Sequence, residues 1–219
     1  MNKTIYMCYK TLPEIEYHSK NWKILNPDWD IKLYDNYLCE QFLLKEYGSL
    51  HADIFNFIPD GPIKSDFWRV CVINKYGGLY VDADIEPIAS LSQYIESDDY
   101  FVTCFSHLST YVGTPAMNPH IIFSYKNNEI LEKCINKYID FFNKKKKYSY
   151  WDWSIVPIFN ELFFYILQKI KFKKGSQIIT INNKKYKFLQ EEPGGKECSY
   201  KGNIVLKNKY KNYKNHEFV

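Results

Sequence analysis

The sequence predicts an α/β domain built on a central, mainly parallel sheet, and three observations carry that expectation. Short apolar stretches alternate with segments of helical periodicity through the first hundred residues. Glycine, proline and asparagine stand between them, where elements must stop. The 219 residues, 46% hydrophobic and 18% aromatic, suffice for one ample core, whereas two domains would each lie near the lower size limit. A single domain, 1–219, is expected, with a ligand-binding half at 1–90 and a second half at 91–219 that carries a basic tail.

Lys3 to Tyr9 reads as a strand, and Pro13 to Leu25 as a helix that Asn26-Pro27 ends. Ile31 to Tyr34 alternates ahead of Asp35 and fits a second strand; Leu38 to Tyr47 is then helical as far as Gly48. Pro62 to Tyr76 gives another helix, with proline in its first turn, and Gly77-Gly78 reverses the chain into the strand Leu79-Tyr80-Val81. A strand at Tyr100 to Phe105 and helices at Asn128 to Phe142 and Ile155 to Ile170 follow. Gln177 to Ile181 and Lys185 to Leu189 are short strand candidates, and beyond Pro193-Gly194-Gly195 the chain reads as a polar tail. Sheets of this kind bind ligands beyond the carboxyl ends of their strands.

Composition narrows the function. The mean hydropathy of −0.42 and the lack of an apolar run near 18 residues argue against a membrane span. The start shows none of the parts of a signal peptide, so a soluble, cytoplasmic protein is expected. Six cysteines without a C-x-x-C pair read as reduced core or surface thiols rather than a disulfide framework. The net charge of +4 conceals two unlike halves: 9 basic against 16 acidic residues in 1–100, and 20 against 9 in 101–219, or −7 and +11. Lys144 to Lys147 and the lysine-rich tail read first as a solvated face; peripheral contact with an anionic membrane is the alternative. Nucleic acid is a poor partner, because the chain has a single arginine, Arg69.

That arginine lies in the most informative stretch. Asp66 and Arg69 are three apart on a helix and share a face. Asp82 and Asp84 are two apart just past an apolar strand, so in extended chain both carboxylates point to one side. Two adjacent carboxylates repel unless a cation or proton neutralises them. Mg²⁺ or Mn²⁺ suits such a pair, because these ions use one or two protein carboxylates and complete their shell with water and phosphate oxygens.

The string KSDFWRVCVINKYGGLYVDADIEPI resembles the D-x-D core of the glycosyltransferase family 32-like proteins. That family takes in the yeast initiating α-mannosyltransferase, capsule sugar transferases and, remotely, the clostridial glucosylating toxins. Lys3 to Lys10, Leu12-Pro13, Trp22 and Asn26-Pro27 resemble its opening strand and helix, with Tyr6 where histidine is usual and Tyr9 where tryptophan is usual. The resemblance implies a GT-A fold, a UDP- or GDP-sugar donor, a divalent cation, retention of anomeric configuration, and a glycan, glycolipid or glycoprotein acceptor. It implies that Asp84 ligates the metal, that Asp82 contacts the donor or reaches the metal through water, and that Asp66 and Arg69 grip sugar hydroxyls. Tyr9 would stack on the base and Tyr80 would line the donor site. His216 stands where relatives carry a histidine before a tryptophan and could complete the metal site, although the tryptophan is missing here.

Softer candidates lie late in the chain. Trp151-Asp152-Trp153-Ser154 is read as an anchor for the helix behind it, or as a substrate-facing lid. His18, His51, His107 and His120 have no evident partner. Two rival functions stand beside the transferase: a phosphohydrolase of the haloacid dehalogenase type, with Asp82 as nucleophile, and a non-catalytic nucleotide-sugar or glycan-binding module of the same fold.

Overall fold

The computed structural model describes residues 1–106, 116–164 and 175–209. The chain opens with β1 (Thr4–Cys8), α1 (Leu12–Leu25), β2 (Asp30–Tyr34), α2 (Asn36–Tyr47), α3 (Ser49–Phe57), α4 (Gly61–Tyr76), β3 (Gly78–Val81) and β4 (Ile85–Pro87). It continues through β5 (Asp99–Ser106), β6 (Ala116–Ser124), α5 (Glu129–Asn143), α6 (Tyr150–Trp153), α7 (Ile155–Leu162), β7 (Gln177–Ile181), β8 (Lys184–Glu191), β9 (Glu197–Tyr200) and β10 (Asn203–Asn208).

One ten-stranded sheet runs in the order β2-β1-β3-β6-β5-β8-β9-β10-β4, with β7 beside β8. Its parallel parts are β2-β1-β3 and β5-β8, where helices connect the strands or long segments intervene. The other pairings are antiparallel; for β7–β8 and β9–β10 the two-residue turns at Asn182-Asn183 and Lys201-Gly202 are too short for a crossover. β9 and β10 occupy the stretch expected to be a polar tail; their buried residues Cys198, Ser199, Tyr200, Val205 and Leu206 follow neither strict alternation nor helical spacing, so no periodic run marks them. The expected helix Ile155 to Ile170 ends at Leu162, and its last residues lie outside the described ones.

The sheet is covered on both faces. Alternation along β1 and β3 sends Tyr6, Cys8 and Tyr80 into the core beneath α4, and Ile5, Met7, Leu79 and Val81 into the core beneath α1. Helix α4 is buried nearly all round, with Phe67, Trp68, Val70, Cys71, Val72 and Ile73 inaccessible, as a central helix must be. It carries two charged residues into that interior, Asp66 and Arg69. Gly77 ends it at φ +67, where a Cβ would stand 2.8 Å from the Lys126 nitrogen; at Gly78, φ +102, a Cβ would stand 2.7 Å from the Thr4 oxygen. Only glycine admits both the left-handed backbone and the close approach of β3 to its neighbours.

Candidate functional site

At the carboxyl end of β3, Arg69 joins the two acidic elements. Its Nη2 lies 2.9 Å from Asp66 Oδ1 and 3.0 Å from Asp82 Oδ1. Its Nη1 donates to the Pro119 carbonyl at 2.7 Å and its Nε to the Ser65 carbonyl at 3.2 Å. The guanidinium sits 4.5 Å from the centre of the Tyr80 ring, and the Tyr80 hydroxyl donates to Asp82 Oδ1 at 2.6 Å. The arginine side chain is only 6% exposed, so this is no surface pair of helix neighbours. Burial works against the cation, but Asp82, Tyr80 and Asp66 more than compensate and hold Arg69 charged. Asp66 Oδ2 also accepts the Ile155 N–H at 3.0 Å, which ties the first residue of α7 to the site. Burial nevertheless raises the Asp66 carboxyl to about 6, against the opposing pull of Arg69.

The carbonyl that receives Arg69 comes from an irregularity in β6. Pairing between β5 and β6 slips between Thr103 and Cys104, whose partners are Ile122 and Asn118. Pro119 lies in the slipped stretch and has no N–H to give to a ladder. The bulge turns the Pro119 oxygen to Arg69, the His120 oxygen to the Asp82 N–H at 2.9 Å, and the Ile121 oxygen to the Thr103 hydroxyl at 2.9 Å.

Asp82 and Asp84 do not stand on an extended strand as expected. The Ile85 N–H donates to the Asp82 carbonyl at 3.0 Å, so Asp82-Ala83-Asp84-Ile85 is a turn between β3 and β4, and turn geometry rather than strand alternation sets the carboxylates. Asp82 is engaged by Arg69 and Tyr80, whereas Asp84 forms no ion pair among the described residues. Burial and the neighbouring Asp82 charge push the Asp84 carboxyl up to about 7. An oxygen donor held in that state fits a hard divalent cation, which would replace the proton.

The remaining expected residues divide. Tyr9 ends β1 side, with its N–H on the Tyr34 carbonyl at 3.0 Å and its ring edge-on to His18. Tyr80, expected to line the donor site, is 1% exposed; it supports Asp82 and Arg69 from behind instead. Trp153 is buried among Phe57, Tyr138, Phe141 and Tyr148, and Ser154 caps α7 through its hydroxyl, so this stretch is an anchor. Trp151 is exposed. His216 and His107 lie outside the described residues. All six cysteines are buried and free, and His120, expected to be without a partner, lies 3.3 Å from Cys198 Sγ. No local spacing announces that contact, because the two residues are 78 apart.

The mixed α/β sheet is that of the GT-A fold, as its likeness to a solved glycosyltransferase shows. Residues 13–102 match the family model of the glycosyltransferase sugar-binding region containing the DXD motif. The PaToxG glycosyltransferase superposes with a TM-score of 0.60 at 14% identity, over 78% of this chain and 72% of that one. The catalytic domain of alpha-toxin from Clostridium novyi gives 0.47 at 9% identity, over 80% and 65%. Apo-form GlyE from Streptococcus pneumoniae gives 0.45 at 15% identity, over 74% of this chain and 43% of GlyE. No curated protein sequence matches the chain. Among the described residues no helix is long and apolar enough to cross a membrane.

Proposed function

We propose that this chain is a retaining hexosyltransferase that takes a hexose from a UDP- or GDP-sugar and passes it to a glycan, lipid-linked or protein acceptor. The observation that carries the reading is the Asp66–Arg69–Asp82 bridge beside a buried Asp84 carboxyl that forms no ion pair among the described residues. With Arg69 fixing Asp82, the remaining oxygen lone pairs of that carboxylate are acceptors for sugar hydroxyls, while Asp66, held by Arg69 and the Ile155 N–H, positions the arginine. Asp84, with Asp82 behind it, would hold Mn²⁺ or Mg²⁺ on the donor diphosphate. When bound, the ion stabilises the negative charge that builds on the departing nucleoside diphosphate. Asp82 makes a poor phosphohydrolase nucleophile, since one of its oxygens is held by both Arg69 and Tyr80. Lysines 144 to 147 lie on the second half, where Lys144 pairs with Asp140 and Lys146 covers the Phe141 ring; this supports a solvated face.

The test is a melting-temperature panel with UDP- and GDP-sugars, each with and without Mn²⁺, followed by donor hydrolysis. Stabilisation by one nucleotide sugar that requires the ion is expected, together with slow release of its sugar. Stabilisation without hydrolysis would identify a binding module. Asp84→Asn should keep the fold and lose the metal-dependent shift; an unchanged shift would refute the site.

A further inference from the structure

Two groups of three potential metal ligands occur among the described residues. Glu96, Asp98 and Asp99 are already neutralised: Lys187 meets Asp99 at 2.7 Å with both side chains inaccessible, and Lys185 pairs with all three. Cys104, His120 and Cys198 are different. They come from β5, β6 and β9, all three are buried, and their donor atoms lie within 4.8 Å of one another. Cys104 Sγ is 3.0 Å from Cys198 Sγ, which is 3.3 Å from His120 Nε2.

Thiols are weak hydrogen-bonding groups, so an imidazole nitrogen buried against a thiol is poorly satisfied. A soft metal ion would give the same three atoms strong bonds. Tetrahedral zinc, with Zn–S near 2.3 Å and Zn–N near 2.0 Å, separates two sulfurs by about 3.8 Å and sulfur from nitrogen by about 3.5 Å. The observed separations of 3.0 Å and 3.3 Å are both shorter than those values, and side-chain shifts of about 0.5–1 Å would open them to the tetrahedral spacing. Two thiolates and one imidazole leave the fourth position for water or a carboxylate. Water is the fourth ligand the site favours, since Glu191, the register partner of Cys198, accepts from Asn118 and is not among the donors within 4.8 Å.

We propose that Cys104, His120 and Cys198 bind a soft divalent ion, zinc by preference, at a site distinct from the D-x-D turn. Donor chemistry separates the two: thiolate and imidazole select zinc, and the carboxylates of Asp82 and Asp84 select Mg²⁺ or Mn²⁺. The ion would clamp three strands of the sheet. It would also steady the donor site, because the His120 backbone carbonyl holds the Asp82 N–H. The proposal does not depend on the transferase reading.

The whole chain, reduced and stripped of metal, is titrated with Co²⁺. A thiolate-to-cobalt charge-transfer band and intense tetrahedral d–d bands should grow to one equivalent and be displaced by one equivalent of Zn²⁺. Cys198→Ser and His120→Ala should lose these bands, while Asp84→Asn keeps them. Zn²⁺ should also slow alkylation of Cys104 and Cys198, read by peptide mass mapping of the wild-type chain, at least tenfold relative to Cys71. That measurement decides the matter if the variants fail to fold. Folded, reduced wild type without cobalt bands, bands that survive Cys198→Ser, or alkylation indifferent to Zn²⁺ would each overturn the proposal. So would a Cys104–Cys198 disulfide that forms with Zn²⁺ present.

Discussion

Replacing Arg69 by methionine tests whether the acidic pair of α4 and the D-x-D turn depend on one buried cation. The substitution keeps most of the aliphatic length but leaves Asp66, 9% exposed in its side chain, and Asp82, 22% exposed, without their shared partner. Removing one member of a buried ion pair costs about 3–5 kcal/mol, since the other charge stays behind unpaired. Most of that cost falls on Asp66, because water can reach Asp82 more easily. In a domain of this size each kcal/mol lowers the melting temperature by about 2–4 °C, so a drop of about 10 °C is expected at pH 8.

The sign of the pH dependence follows from Asp66. Its folded pKa, about 6, stands above the ordinary 3.8, so its favourable contribution is complete below about pH 4 and is lost as the pH rises through 6. Without Arg69 the carboxyl titrates higher still, and the penalty continues to grow above pH 6. The gap between wild type and Arg69→Met should therefore be narrow at pH 5 and wide at pH 8, and Asp66→Asn in the same background should recover part of it. Melting followed by circular dichroism across that range is the assay. A variant within 2 °C of wild type at pH 8, or a gap equally wide at pH 5, would refute the buried bridge.

Three further outcomes are expected. Tyr80→Phe removes the hydroxyl that donates to Asp82 at 2.6 Å and should cost about 1 kcal/mol in urea denaturation while raising KM for the donor more than it lowers kcat. Gly77→Ala and Gly78→Ala force a side chain onto left-handed backbone and against backbone atoms at 2.8 and 2.7 Å; each should cost more than about 1 kcal/mol by the same measurement. Trp153→Ala should cost about 3–5 kcal/mol by emptying the aromatic cluster around it, whereas Trp151→Ala, at an exposed position, should stay within about 0.5 kcal/mol of wild type.

Much of the site was legible because its parts are close in sequence. Asp66 and Arg69 share a helical face, and the double glycine after Tyr76 announces the turn into β3. What escaped has a common cause. Helix α3 follows α2 after the single residue Gly48, so the second helix shows no long polar break before it. Strand β6 contains Asn118-Pro119-His120, which reads as a strand breaker, and only pairing with β5 shows that the proline sits in a bulge. The short strands β9 and β10 bury residues at irregular intervals, so no alternation marks them.

The sequence by itself determined the elements from Thr4 to Val81 apart from α3, and the pairing of Asp66 with Arg69 on one helical face, because each rests on periodicity or spacing within about twenty residues; the fold class rested on the resemblance of the stretch around Asp82 and Asp84. The tertiary structure alone decided that Arg69 bridges Asp66 to Asp82 and borrows the Pro119 carbonyl, that Tyr80 stands behind the pair, and that His120 meets Cys198. Those contacts join residues as much as 78 positions apart. Which of them form depends on strand order and on a slipped register in β6, and neither leaves a trace in local composition.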